Sequence, residues 1–427
     1  MQHAALAADL RIGGRAAAGP RAAPAIVGRV HVLSATIDSA YVREWADLLV
    51  RWLHVIAAIA WIGASFYFIL LDNHLEPPQR AEDAEAGVAG ELWEVHGGGF
   101  YHVQKYQVAP RTLPDRLAWF KWEAYTTWLS GFALLCIVYF WNARAYLIDR
   151  SVADLTVPEA IAITVGFLVA GWLVYDVLCR VLGRTPKLLA LALFGFIALA
   201  AYTAGQLFAP RAMFIVVGST IGTMMAGNVL FVIIPGHWEL IRAKQAGREP
   251  DPAHGVKGKL RSVHNNYLTL PVLLAMLSNH FPFVYGHEDA WLALCAFVAL
   301  GAYVRHFFNL RHRGRNAWSI PAISLLAIVG LALWLQPDEP QPPPVYGATE
   351  LAGRRIFQTV GCSSCHKLRD ALATGVIGPD LDAVHPSRAL VIDRVSHGQG
   401  VMPSFANKLT AKQITQVADY VALHAGR

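Results

Sequence analysis

Eight apolar runs, each long enough to cross the hydrocarbon core of a bilayer, constrain this chain more than any other feature. A core of about 30 Å needs about 20 helical residues, and the runs at 47–71, 122–141, 158–179, 187–208, 212–234, 267–285, 290–310 and 317–335 supply them. Composition agrees: 55% of residues are hydrophobic and 15% charged, against about 25% charged in soluble domains. Trp and Tyr cluster at many run ends, as interfacial belts do. The sixth run is interrupted by Pro271, Asn279, His280 and Pro282, and losing it would reverse the topology of everything after it. The expected fold is all-α, a polytopic membrane helix bundle of about eight transmembrane helices occupying 41–335.

After the bundle the chain changes character. Residues 336–347 hold Pro337, Pro340, Pro342, Pro343 and Pro344, a composition that favours an extended spacer. Residues 348–427 then carry Cys362, Ser363, Ser364, Cys365 and His366. This C-x-x-C-H spacing is what covalent attachment of one haem c requires, with His366 as axial ligand. The segment resembles a small class I cytochrome c. Gly353 and Phe357 share a face of a first helix, Tyr420 sits in a last helix that would cross it, Gly378 to Leu381 matches the loop beside the histidine ligand, and Met402 the sixth-ligand loop. His385 and His397 are the alternatives to Met402 as iron ligand. Cys136, Cys179 and Cys295 each lie alone in or beside apolar runs and read as small core residues.

Lysine and arginine set the orientation. The odd loops hold 17, from Arg80 to Arg315, whereas the even loops hold Arg144, Arg150 and Arg211. Odd loops are therefore expected in the cytoplasm and both termini outside, in the inner membrane of a bacterium, where the periplasmic side is also that of c-type haem attachment. The arginine-rich tail at 1–40 opposes export, has no apolar h-region and reads as a disordered or misassigned extension. The formal net charge of +6 suits anionic headgroups of the lipid bilayer, and no nucleic-acid module is visible.

Ionisable groups inside a membrane default to functional hypotheses. Arg51, His54, Trp61 and Ser65 share roughly one face of the first run; His237, His264, His280 and His306 fall at run ends. The first loop is long and patterned, with His96, three glycines, His102, Gln104 and Lys105, where glycine permits close backbone approach to a ligand. No G-x-S-x-G elbow accompanies His96 to Gly99, which argues against a hydrolase. A second polar cluster is His264, Asn265, Asn266 and Tyr267, for which a helix cap is the alternative reading.

Arg51 to His54, Trp61 to Gly63, the His96 to Lys105 loop, Trp119 to Glu123 and the His264 to Pro271 run together resemble the bacterial membrane-bound urate oxidases, urate hydroxylases with a C-terminal cytochrome c. The resemblance spans about residues 42–427 and implies oxidation of urate to 5-hydroxyisourate in purine catabolism, with electrons passing to haem c and on to a downstream cytochrome or terminal oxidase. Urate, a planar monoanion, calls for stacking, an amide edge, a cation and a base. His96 or His102 is the expected base, Lys105 the cation, and Gln104, Asn265 or Asn266 the edge reader, with His264 beside them. These groups are expected on the cytoplasmic side, about 30 Å of hydrocarbon from the haem. Either the substrate site lies deeper, around His54 and His280, or a haem b sits in the bundle on histidines such as His54, His280 and His306. The rival functional class is a quinol- or partner-fed electron-transfer subunit with no substrate of its own.

Overall fold

The computed structural model describes residues 39–336, 346–375 and 377–426. The expectations for the N-terminal extension and for the proline-rich spacer fall almost wholly outside these residues. Helix α1 (Ser39–His74) is followed by a hairpin of β1 (Val88–His96) and β2 (Gly99–Tyr106). Next come α2 (Trp122–Leu134), which continues as a π-helical stretch Leu135–Phe140, α3 (Val157–Leu182), α4 (Pro186–Gly205) and α5 (Pro210–Gly227). A second π-helical stretch, Asn228–Ile233, joins α5 to α6 (Ile234–Gln245) without a break, and α7 (Pro252–Leu277), α8 (Ala290–Arg311) and α9 (Ser319–Trp334) complete the bundle.

Among the described residues six helices are long and apolar enough to cross a membrane, those of the first five runs and α8. This is a multi-pass membrane protein, and the helix surfaces agree: Val169, Leu173 and Val177 form an exposed apolar stripe on α3, and Leu325, Leu326 and Leu333 are exposed on α9. Such stripes are stable against lipid and a liability in water. The sixth run is corrected. Its helix spans Pro252–Leu277, starting fifteen residues earlier than expected and ending before His280, with Pro282–Tyr285 a separate turn. Lys257, Lys259 and Arg261 in its first half lower its hydropathy, yet it packs against α1, α5, α6 and α8. Pro271 is tolerated because Gly301 of α8 leaves room: a Cβ there would lie 3.1 Å from the proline ring.

The core is built around α5, whose Phe214, Val216, Ile221 and Met224 are fully buried with Tyr175, Phe208 and Leu294. Helix α1 runs from Arg43, bonded to Asn142, to Asp72, paired with Lys105 and Lys259. Its two ends therefore mark the two ends of the bundle. At the Arg43 end sits the C-terminal domain, where a cavity of about 30 Å³ is lined by Tyr146, Arg211 and Tyr285 of the bundle and by Pro379, Asp380 and Val384.

In that domain α10 (Ala348–Thr359) crosses α12 (Ala411–His424), and α11 (Arg388–His397) packs on α12. The crossing is close because Gly353 has no side chain. A Cβ there would lie 2.3 Å from the Gln416 carbonyl oxygen and 2.6 Å from the Tyr420 Cβ. Gly353→Ala is expected to cost about 1–3 kcal/mol through overpacking, read as a lower thermal midpoint of the haem-domain transition in the solubilised protein; an unchanged midpoint would contradict the crossing.

Candidate functional site

Helix α7 carries a polar stripe into an otherwise apolar bundle. Arg261 is 6% exposed and donates to Asp176 of α3 at 2.6 Å, while Arg180 donates to the other carboxylate oxygen at 2.7 Å. The charge count had assigned Arg261 to a loop; it lies in the protein interior, paired as a buried charge must be. Arg261 also donates to Asn228 Oδ1 at 3.2 Å. Asn228 is fully buried and opens the π-helical stretch between α5 and α6; such insertions re-aim side chains and recur at functional sites. Its amide nitrogen donates to the Tyr175 hydroxyl and to Asn265 Oδ1, both at 2.8 Å.

One assignment of the hydrogens satisfies these bonds. The Tyr175 oxygen accepts from Asn228, so its hydrogen is free for His264 Nδ1, 2.9 Å away. His264 Nδ1 is thus an acceptor, and a neutral imidazole then carries its proton on Nε2. Cys179 Sγ lies 3.7 Å from the same nitrogen. One residue further along α7, Asn266 faces the other way. It donates to the Ser65 carbonyl at 3.3 Å, and its Oδ1 accepts from Arg305 at 2.8 Å and from Asn309 at 3.1 Å, both on α8. His264, Asn265 and Asn266 lie in the helix interior, far from either end, so the capping alternative is discarded.

The first-loop candidates do not join this cluster. The glycines there make a hairpin turn, with Gly97 and Gly98 at φ 58° and 83°, the left-handed geometry of a two-residue connection. His96 is exposed at the tip. His102 stacks on Trp93 at 4.3 Å and donates from Nε2 to Glu91 at 3.0 Å. The Gln79 backbone N–H, donating to Glu91, holds that carboxyl below its usual range, with help from His102 and Gln104. Lys105 pairs with Asp72, which also faces Lys259 at 3.5 Å. Lys105 therefore pins the hairpin to the rim formed by α1 and α7, while His102 is held within the hairpin by Glu91 and His96 stays exposed.

The three histidines proposed for a second haem are separated. His54 Nδ1 donates to the Thr127 carbonyl at 3.0 Å and lines a cavity of about 60 Å³ with Trp61, Trp128, Gly131, Phe132 and Thr223. His306 bonds the Tyr267 hydroxyl at 2.7 Å, and His280 is exposed in the turn after α7. They share no cavity, and the one beside His54 is far smaller than a porphyrin. The residues present do not fit a bundle haem.

The haem c residues do fit. Cys362–Cys365 forms a single helical turn after Gly361 at φ 107°, which sets both sulfurs on one short arc. Burial pushes the Cys362 thiol up to about 11, so free thiolate chemistry is suppressed. His366 Nδ1 donates to the Pro379 carbonyl at 3.0 Å, leaving Nε2 as the ligand nitrogen. Burial holds His366 below its usual range, partly offset by that bond, so it is neutral at pH 7. Gly378 is required beside it, since a Cβ there would lie 2.5 Å from the imidazole. Met402 packs on the domain core in a loop closed by reciprocal backbone bonds with Gln399, whereas His385 bonds the Ala425 carbonyl and His397 bonds Asp393.

Sequence reasoning missed Asp176, Tyr175 and Asn228, each in an apolar run; Asp176 was the one available signal, a lone carboxylate mid-membrane. Arg305 and Asn309 were passed over as the end of a span.

Comparison with known proteins separates the chain into the same two parts. The family described as "Urate oxidase N-terminal" matches residues 40–336, and "Cytochrome C oxidase, cbb3-type, subunit III" matches residues 348–421. Cytochrome c6 of Rippkaea orientalis (strain PCC 8801 / RF-1) is 36% identical over 87 residues, covering 19% of this chain and 78% of that protein.

Two outcomes follow. Arg261→Met leaves Asp176 only its more exposed partner Arg180 and is expected to cost about 1.5–3 kcal/mol, with Arg261→Met/Asp176→Leu recovering much of it; equal thermal midpoints for single and double variants would contradict the pairing. Met402→Ala should abolish the weak sulfur-to-iron band at the red end of the ferric spectrum, and its survival would assign the ligand elsewhere.

Proposed function

Because the chain belongs to the urate oxidase N-terminal family and ends in a cytochrome c domain, a redox enzyme by composition of parts, we propose that it oxidises urate to 5-hydroxyisourate inside the bundle and passes the electrons to haem c. The observation that carries this is the buried polar network around α7, in which Arg261, His264, Asn265 and Asn266 of that helix meet Tyr175, Asn228 and Arg305 from its neighbours where a helix bundle would otherwise be apolar. Urate takes up water and releases two electrons and two protons in forming 5-hydroxyisourate. Amides and guanidinium groups bind and orient its carbonyl and N–H edges. The Tyr175–His264 pair is poised to take a proton, since His264 Nδ1 accepts one in hydrogen bonding already. When bound, haem c accepts one electron at a time, its potential raised by a methionine ligand, and a terminal oxidase or intermediate cytochrome drains it.

We read α7 and α9 as the sixth and eighth spans, which places the C-terminal domain in the periplasm and the hairpin in the cytoplasm. Ser65, at the polar stripe, lies 22 residues from Arg43, about 33 Å along α1. Trp61, Trp128, Tyr139 and Tyr146 are spread over that interval, with Trp128 stacked on Phe132 at 5.5 Å and Tyr139 against Tyr146 at 6.2 Å. Oxidisable aromatic side chains of this kind supply stepping points toward Arg211 and Pro379 in place of a second haem. The test is anaerobic mixing of urate with the purified oxidised protein. Haem c should reduce without quinol or any partner, and His264→Ala should slow it by about 100-fold; an oxidised haem after mixing would favour a quinol- or partner-fed subunit.

A further inference from the structure

Among the buried polar side-chain atoms that lack a partner, two belong together. Arg305 Nη2 and Asn309 Oδ1 both go unpaired, each residue is 5% exposed, and the two stand one turn apart on α8. The network leaves no freedom about which atoms these are. Asn266 must turn its amide nitrogen to the Ser65 carbonyl, an acceptor only. Its Oδ1 therefore faces α8 and takes both Arg305 Nε and Asn309 Nδ2. What remain buried without a partner are Nη2 of Arg305, a donor, and Oδ1 of Asn309, an acceptor. Phe66 lies over the guanidinium at 4.0 Å and fixes its plane, and no carboxylate pairs with Arg305 among the described residues, in contrast to Arg261.

We propose that Arg305 and Asn309 form the subsite for a lactam edge of the substrate, an inference that rests on the urate reading above. A cyclic amide presents a carbonyl beside an N–H, the complement of this donor and acceptor, and a urate monoanion also supplies the negative charge that Arg305 lacks. Leaving a buried cation and a buried carbonyl unpaired is costly, so the pair is held for a ligand. Both atoms are covered in this conformation. Trp61, which lines the bundle cavity, lies one helical turn from Ser65, about 6 Å along α1, and entry of a ligand requires the Phe66 side chain to turn away from the guanidinium. Binding there fixes one edge of the ring from α8, on the face of α7 that carries Asn266.

The test uses full-length protein in detergent, with haem c pre-reduced so that bound urate does not turn over, and calorimetry with urate and with unsubstituted purine, which has no lactam. Wild type should bind urate at least tenfold tighter than purine. Asn309→Leu and Arg305→Lys should each weaken urate binding by about tenfold or more while leaving purine binding within twofold, the haem spectrum and thermal midpoint of Asn309→Leu serving as the folding control. Urate affinity within twofold of wild type in both variants overturns the subsite, as it would if the pair held only an ordered water. Urate that binds, with the expected losses in the variants, but never reduces oxidised haem c overturns the oxidation reading and leaves the subsite standing. Reduction of haem c with unchanged variant affinities does the reverse, and a wild type that neither binds urate nor is reduced by it overturns both.

Discussion

The ion pair between Arg261 and Asp176 holds the polar interior of this bundle open. A charge in a lipid-embedded interior is stable only if paired and hydrogen-bonded, and this pair recruits Asn228, which recruits Tyr175 and Asn265, which in turn orders His264. The cost of burying each group is offset by the next. The π-helical insertion at Asn228–Ile233 belongs to the same arrangement, since it lets one continuous helix from Pro210 to Gln245 pack its first half in the apolar core and still aim an asparagine at α7. Helices of this kind do not need a bound group to be held in register, and the polar stripe is set in place before any substrate arrives.

The two halves of the molecule are complementary in chemistry. The proposed removal of two electrons from a planar anion needs edges, a cation and a proton acceptor in a dry site, and the residues around α7 are groups of those kinds. Handing those electrons on needs a one-electron carrier outside the bilayer, which the residues around His366 are shaped to hold. The bundle rim at Tyr146, Arg211 and Tyr285 meets the C-terminal domain at Pro379, whose carbonyl anchors the ligand histidine. The residue that anchors the ligand histidine therefore lines the same cavity as the rim of the bundle.

Much of this was legible in the residues. Apolar length located the helices of seven of the eight runs and misplaced that of the sixth, and the C-x-x-C-H spacing, Gly353, Gly378 and Met402 predicted the haem domain down to its helix crossing. Periodicity failed where polar groups enter a span: Lys257, Lys259 and Arg261 hid the first half of α7, because a transfer scale cannot know that Asp176 and Asp72 wait opposite. Glycines in the first loop serve close approach and tight turns equally well, and the pairing of β1 with β2 shows that Gly97 and Gly98 make a hairpin turn. Arg305 and Asn309 look like a span's charged end until the folded packing removes them from water.

The central claim is that substrate oxidation in the bundle and reduction of haem c are one process within one chain. The most direct measurement is an anaerobic electron count: a limiting amount of urate is added to purified oxidised protein, and reduced haem c and 5-hydroxyisourate are both quantified. Two haem c reduced for every urate consumed, with no peroxide on readmitting oxygen during turnover, is the predicted result. Urate consumption that yields peroxide while haem c stays oxidised would contradict it.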